Sequence, residues 1–276
     1  AGEQSTVPGT AEQPFVVTDG LFDQTKTESD LGLSKIEGAE TVTVFTATDD
    51  TDHYCNGVVM TEFKGKLYTQ WQSSAKDEDA EDTWVAYSVS DDNGATWSEP
   101  KVLVPTIDNG YCSSGGWFVS GDTLVSYINV WYSDTTPRGG FAYYVESTDG
   151  EHWSEMKPVL MKDGTPMEGI IEQDPHVLAS GRIVNAAHFQ PGLFAYPIYT
   201  DDPSGTKGWV KAQYTCMEQG EGATTSREME PSLFVNEDGT IVMTFRDQNS
   251  SFVRLAAIST DQGETWSETV STNMSD

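Results

Sequence analysis

Four tryptophans divide the chain at almost constant intervals: Trp97, Trp153, Trp209 and Trp266 stand 56, 56 and 57 residues apart. Three of them close nearly the same phrase. Ser90-Asp-Asp-Asn-Gly-Ala-Thr-Trp97 and Ser259-Thr-Asp-Gln-Gly-Glu-Thr-Trp266 share one pattern, and Ser147-Thr-Asp-Gly-Glu-His-Trp153 is that pattern shortened by one residue. The fourth, spanning 200–209, keeps an Asp, a Gly and Trp209 but has drifted. Reuse of one phrase at such a period means one supersecondary unit repeated, which constrains the fold before any single residue is interpreted.

Each repeat carries three apolar runs of strand length before its tryptophan and a fourth after it. In the first full repeat these are Gly57–Phe63, Lys66–Gln72, Thr83–Ser90 and Lys101–Val104. Alternation in Leu67-Tyr-Thr-Gln-Trp71 and Ala86-Tyr-Ser-Val89 is the period of half-buried strands. A glycine-containing turn joins the first two runs in every repeat, as at Lys64-Gly-Lys66 and Ser180-Gly-Arg182. No stretch sustains a helical period. The unit is therefore a four-stranded antiparallel meander, and tandem meanders of this length read as the blades of an all-β propeller. The repeated phrase has a mechanical reading: Ser and Asp bond backbone amides inside a turn, Gly permits the reversal, and Trp tucks between neighbouring elements.

These phrases resemble the Asp-boxes of the sialidase-like propellers built from BNR repeats, with boxes at 90–97, 147–153 and 259–266 and a degenerate one at 200–209. The resemblance covers about residues 54–276. One more period before Trp97 falls near residue 41, ahead of Thr41-Val-Thr-Val-Phe45, which reads as the last strand of an earlier blade. The expectation is about five blades' worth of chain, four of them complete. Residues 1–40 then form an N-terminal segment or partial blade, and 41–276 the propeller. The resemblance implies a ring of six or seven blades, of which this would be a truncated part, since open sheet edges are avoided. A small ring closed by its own N-terminal segment is the alternative. Oligomeric state, and blades supplied from outside this chain, stay open.

Fifteen basic residues face 44 acidic ones, a formal charge of −29. Such a surface repels phosphate backbones and anionic bilayers, so nucleic acid and membrane partners are not expected. The densest acidic run, Lys76-Asp-Glu-Asp-Ala-Glu-Asp82, reads as a solvated loop rather than a calcium site. No metal and no cofactor is expected. Three cysteines leave pairing incomplete; Cys55 and Cys112 sit at equivalent points of adjacent repeats, where either a disulfide or two free thiols fits. The sequence has no apolar run long enough to span a bilayer, and the polar Ala1–Gln13 stretch resembles the start of a processed secreted domain, so a secreted, periplasmic or extracellular location is expected.

A propeller blade presents its first hairpin and its box on one face. The links into strand one and the loops from strand two to three lie on the other, which carries the active site in the resembled family. The residues gathered there combine aromatics, carboxylates, amides, histidines and arginines, the chemistry of a sugar site. The catalytic candidates are Glu230, His188, Arg246 and Asp174. The substrate-binding candidates are Arg227, Gln173, His176, His53, Asn56, Trp71, Trp131 and Gln248. Glu230 opens strand one and Arg246 closes strand two of one blade. This resembles the sialidase pattern in which such an arginine binds the substrate carboxylate while the glutamate assists a tyrosine nucleophile; a plain structural ion pair is the other reading. The sequence departs from that family in having no early Arg-Ile-Pro phrase and no arginine before Arg138. His53-Tyr-Cys-Asn-Gly-Val-Val59 and Gly181-Arg-Ile-Val-Asn-Ala-Ala-His188 resemble propellers acting on rhamnosyl-glucuronate linkages, in which a histidine serves as base. The expected function is an exo-acting, sialidase-like glycoside hydrolase acting on the acidic terminus of a glycan. The alternatives are a rhamnose-glucuronate lyase with a histidine base, and a non-catalytic propeller that binds glycan or protein.

Overall fold

A computed structural model describes residues 9–18, 20–21, 25–26, 36–217 and 219–275, and most of the expected N-terminal partial blade lies outside them. Four antiparallel sheets follow one another along the chain, each a blade. Blade 1 holds β1 (Tyr54–Phe63), β2 (Lys66–Ser74), β3 (Trp84–Ser90) and β4 (Lys101–Val104). Blade 2 holds β5 (Gly110–Ser120), β6 (Thr123–Tyr132), β7 (Phe141–Ser147) and β8 (Lys157–Pro158). In blade 3 the first strand is split into β9 (Gly169–Ile170) and β10 (His176–Val177), both paired with β11 (Ile183–Phe189), followed by β12 (Phe194–Thr200) and β13 (Val210–Lys211). Blade 4 holds β14 (Glu228–Val235), β15 (Ile241–Asp247), β16 (Val253–Ser259) and β17 (Val270–Ser275).

The strand expected at Thr41–Phe45 does not form, so four blades rather than about five blades' worth are present among the described residues. Its alternation lacks a described neighbouring strand to pair with, and Phe45 instead stacks on Trp71 of blade 1 at 6.2 Å. At the other end of the N-terminal segment, Val17 exchanges two hydrogen bonds with the Asn273 side chain of blade 4, at 2.8 and 2.7 Å. The segment therefore touches both the first and the last blade.

The core lies between blades. Tyr68, Val85, Leu103, Trp117, Leu124 and Ile128 fill the space between blades 1 and 2. Val125, Tyr127, Met167, Ile183 and Trp209 fill the next layer, and Val184, Leu233, Met243, Phe245 and Leu255 the third. Each large apolar side chain so enclosed is worth about 1.5–3 kcal/mol of transfer free energy.

The boxes sit between the third and fourth strands of each blade and work as turn clamps. In the first, Asp92 Oδ1 accepts from Ser90 Oγ and the Thr96 amide, both at 2.8 Å, and Trp97 Nε1 donates to the Gly94 carbonyl. Asp261, Ser259, Thr265 and Trp266 repeat the same bonds at 2.8, 2.9 and 3.0 Å. The degenerate fourth keeps the tryptophan bond, with Trp209 Nε1 on the Gly205 carbonyl at 2.8 Å. In the shortened box Asp149 accepts from two backbone amides and from His152, which hold its carboxyl well below the ordinary range. Trp153 then wedges between Tyr87 and Trp117, at 5.6 and 5.8 Å.

Candidate functional site

Every first strand breaks register at the same height. In β1, Gly57 and Val58 oppose a single residue of β2. In β5, Gly115 is extra between Ser114 and Gly116. In β14, Glu230 and Pro231 oppose only Phe245. Blade 3 goes further: residues 171–175, including Glu172, Gln173 and Asp174, span the gap between β9 and β10 opposite only 185–187. A bulge re-aims the side chains it carries, so four aligned bulges turn four strands toward one shared space.

The bulges are fixed by side chains from second strands. Gln70 Nε2 donates to the Gly116 carbonyl at 2.8 Å while Ser126 Oγ donates to its Oε1. Asn129 embraces Ile171, donating to its carbonyl at 2.7 Å and accepting its amide at 2.9 Å. Asn185 donates to the Gln173 carbonyl at 2.9 Å. Ser114 Oγ donates to the Gly57 carbonyl, tying β5 to β1 at 2.6 Å. The glutamine and asparagine bonds are buried or partly buried, where satisfied hydrogen bonds specify a single arrangement.

The space so framed is a cavity of about 730 Å³. It brings together the expected Asn56, Trp131, Gln173, Glu230, Arg246 and Gln248, and adds Glu78, Asp79, Tyr111, Arg138 and Glu172. Arg246 and Glu230 meet as a fork, Nε to Oε2 at 2.7 Å and Nη2 to Oε1 at 3.1 Å, and Nη1 donates to Gln248 Oε1 at 2.8 Å. Glu230 holds φ of +49° at the bulge position that Gly57 occupies in blade 1 with φ of +63°. A glutamate in that left-handed conformation costs of order 1–3 kcal/mol, and such outliers gather at functional sites.

Glu172 lies beneath the cavity with Oε2 3.0 Å from His188 Nδ1. Burial pushes its carboxyl upward, but His188 and Arg246 outweigh burial and hold it below the ordinary glutamate range. His188 itself is 1% exposed, and its Nε2 is enclosed without a partner. It stands behind the cavity wall and orients Glu172.

On the opposite side, Tyr111 stacks on Trp131 at 6.0 Å and 11°, and the Arg138 guanidinium lies over the same indole at 4.9 Å. Asp79 accepts from Tyr111 Oη at 2.8 Å and pairs with Arg138. Glu78 accepts from Tyr54 Oη and Asn56 Nδ2 at 3.1 and 3.0 Å. The acidic run read as a solvated loop thus sends two carboxylates into the cavity. Burial pushes the Tyr111 phenol far above its ordinary value, so it stays protonated.

Besides His188, five expected residues do not line the cavity. Asp174 Oδ1 accepts the Trp117 amide at 2.6 Å, joining blade 3 to blade 2, and burial pushes its carboxyl up. Arg227 is bound by Asp247, with Nε to Oδ1 at 3.0 Å. That pairing holds the Asp247 carboxyl down at about 2. His176 is half-buried in β10, and burial lowers its pKa. His53 is exposed beyond the start of β1. Trp71 is buried and lines a separate pocket with Phe45, Asp52 and Trp84. Cys55, Cys112 and Cys216 are free thiols. No helix among the described residues is long and apolar enough to cross a membrane.

The sequence matches the BNR repeat-like domain family over residues 65–276. No curated protein sequence matches the chain. Among solved structures, a protein of unknown function from Dyadobacter fermentans is similar with a TM-score of 0.63 at 14% identity, over 79% of this chain and 68% of that one. The NanB sialidase of Streptococcus pneumoniae, solved with 2-[(3-chlorobenzyl)ammonio]ethanesulfonate, is similar with a TM-score of 0.60 at 14% identity, over 90% of this chain and 56% of that one. The intramolecular trans-sialidase of Ruminococcus gnavus, solved with oseltamivir carboxylate, gives a TM-score of 0.59 at 15% identity, over 84% of this chain and 73% of that one. The chain spans little more than half of the pneumococcal enzyme, and at these identities the likeness is one of fold.

Proposed function

Because the chain belongs to the BNR repeat-like domain family, within the sialidase-like propellers, we propose that its central cavity binds the acidic terminus of a glycan and that the protein hydrolyses the terminal linkage there. The observation that carries this reading is Arg246, a guanidinium braced on Glu230 at a strained bulge and facing a cavity of amides, carboxylates and aromatics. A braced, planar fork suits a carboxylate, which it meets with parallel charge-assisted hydrogen bonds. The ligands solved with the two sialidases above carry a sulfonate and a carboxylate, which fits an anion-recognising centre. In this reading Asn56, Gln173 and Gln248 address sugar hydroxyls.

Most glycoside hydrolases flank the bond with two carboxyl groups, whereas sialidases use a tyrosine nucleophile, and both pass through a transition state with positive charge on the sugar ring. Glu172, kept ionised by His188 and Arg246, is the group that stabilises that charge. Glu78, on the opposite wall, is the carboxylate that accepts the proton of the attacking water as water adds to the anomeric carbon, while the departing oxygen takes its proton from solvent. His188 acts as a positioning residue, since its burial keeps it from any substrate proton; this disfavours the lyase reading with His188 as base. A secreted or periplasmic location belongs to the same proposal, because glycans with acidic ends are met there.

The test is incubation with oligosaccharides ending in sialic or uronic acid, followed by mass spectrometry for the released acidic sugar. Release that falls by about a hundredfold or more in Arg246→Gln supports the reading, the size expected for a lost charge-assisted fork. Binding without release moves the protein to the non-catalytic alternative. No binding to any acidic sugar overturns the proposal.

A further inference from the structure

The cavity that is to hold an acidic sugar is itself acidic. Two arginines, Arg138 and Arg246, face four carboxylates, Glu78, Asp79, Glu172 and Glu230, a formal balance of −2. Of the four, Glu230 braces Arg246, Glu172 is held by His188, and Glu78 is held by Tyr54 and Asn56. Asp79 is held by Tyr111 and by Arg138, the more exposed of the two arginines at 57% against 37% for Arg246. It sits on the loop between β2 and β3, and its side chain is 51% exposed.

Arg138 is also braced from its own blade. It stacks on Trp131, its Nη2 reaches Tyr111 Oη at 2.6 Å, and Tyr111 in turn lies flat against the same indole. Gly139 and Gly140, which follow it, pack where a Cβ would meet Gln190 and Ile170 at 2.7 and 2.4 Å, so the chain after Arg138 has one close-fitting path. Gln190 Nε2 also donates to the Gly140 carbonyl at 2.9 Å. Blade 2 thus presents a fixed guanidinium on an aromatic plane, and blade 1 covers it with a carboxylate from an exposed loop.

We propose that Arg138 is a second anion-recognition point in the same cavity, and that Asp79 is its internal placeholder, displaced when a ligand carboxylate takes its position. This deepens the reading of Arg246 and rests on it. The ligand class it names is an oligosaccharide with two acidic groups, one addressed by Arg246 from blade 4 and the other by Arg138 from blade 2. Displacement of Asp79 removes one negative charge from beside Arg138 as the ligand brings its own, which eases the charge conflict of an acidic cavity with an acidic ligand. An ion pair this exposed is weak, and the incoming carboxylate takes over the Tyr111 hydroxyl along with the guanidinium.

Calorimetry with N-acetylneuraminic acid, which has one carboxylate, and its α2,8-linked dimer, which has two, tests the assignment. Wild type binds the dimer more tightly than the monomer. Asp79→Asn raises dimer affinity by up to about fivefold, the upper range of an exposed ion pair, and raises monomer affinity less. Arg138→Gln removes the dimer's advantage, and Asp79→Asn has no effect in that background. Dimer affinity unchanged or reduced in Asp79→Asn overturns the proposal while leaving Arg246 as the primary site. Tighter binding of glucosamine, a cationic sugar, that is lost in Asp79→Asn also overturns it, because the carboxylate would then be the recognition group. Failure of every variant to bind either acidic sugar, with melting curves unchanged, overturns this proposal and the functional reading together.

Discussion

Glu230 shows how a single residue links backbone strain to chemistry. A glycine at its position would remove the left-handed penalty, as Gly57 does in blade 1. Glu230→Gly is therefore expected to leave stability unchanged or raise it by about 1 kcal/mol, while acidic-sugar affinity falls at least tenfold because Arg246 loses its brace. A melting temperature well below wild type would show instead that the ion pair holds blade 4 together. His188 acts one step further back. Its removal as His188→Gln leaves burial as the main influence on Glu172, so that carboxyl rises toward and above the ordinary range. A group whose folded pKa is depressed loses its charge only at low pH, so raising that pKa moves the loss upward. The acidic limb of the cleavage profile should shift to higher pH in His188→Gln, and an unmoved limb would remove Glu172 from the reaction.

At the scale of elements, the boxes and the bulges divide the work between the two faces of each blade. Asp261 accepts from Ser259, Thr265 N and Thr265 Oγ1, so Asp261→Ala leaves a turn with unsatisfied donors. A loss of about 2 kcal/mol in chemical denaturation is expected, with sugar affinity unchanged because the box lies at the face remote from the cavity. A parallel loss of affinity would contradict that separation. The boxes were legible in the sequence because their hydrogen bonds join residues two to four apart. Glu230 and Arg246 were legible for a related reason: they lie near the open ends of the two strands of one hairpin, where Arg246 pairs with Met229, the neighbour of Glu230. Asp79 and Arg138 were not, since they stand 59 residues apart on loops of different blades. Strand β11 hid the setting of His188, because every residue from Ile183 to Phe189 is buried and a strand covered on both faces loses its alternation. Asp174 took the Trp117 amide beside Gly116, a pairing of two bulges that no local pattern announces.

For the whole molecule, the charge of −29 sets how an anionic ligand arrives. Long-range repulsion slows encounter at low salt and is screened within about 10 Å at 0.1 M ionic strength. The association rate for an acidic sugar should therefore rise, by roughly twofold to fivefold, as salt increases from low to physiological levels; a fall would place the ligand in a locally positive field that the cavity lining does not supply. Blade number was the least legible feature of the fold. The repeat counted the boxes, but the alternating Thr41–Phe45 phrase joins no sheet, because strand pairing depends on a neighbour and not on the phrase itself. The most direct measurement at the cavity of the four aligned bulges is a crystal structure with an acidic monosaccharide such as N-acetylneuraminic acid. Its carboxylate is expected within hydrogen-bonding distance of the Arg246 guanidinium, with the sugar ring between blades 2 and 4. A sugar found instead in the aromatic pocket of Trp71 and Trp84, with Arg246 uncontacted, would contradict it.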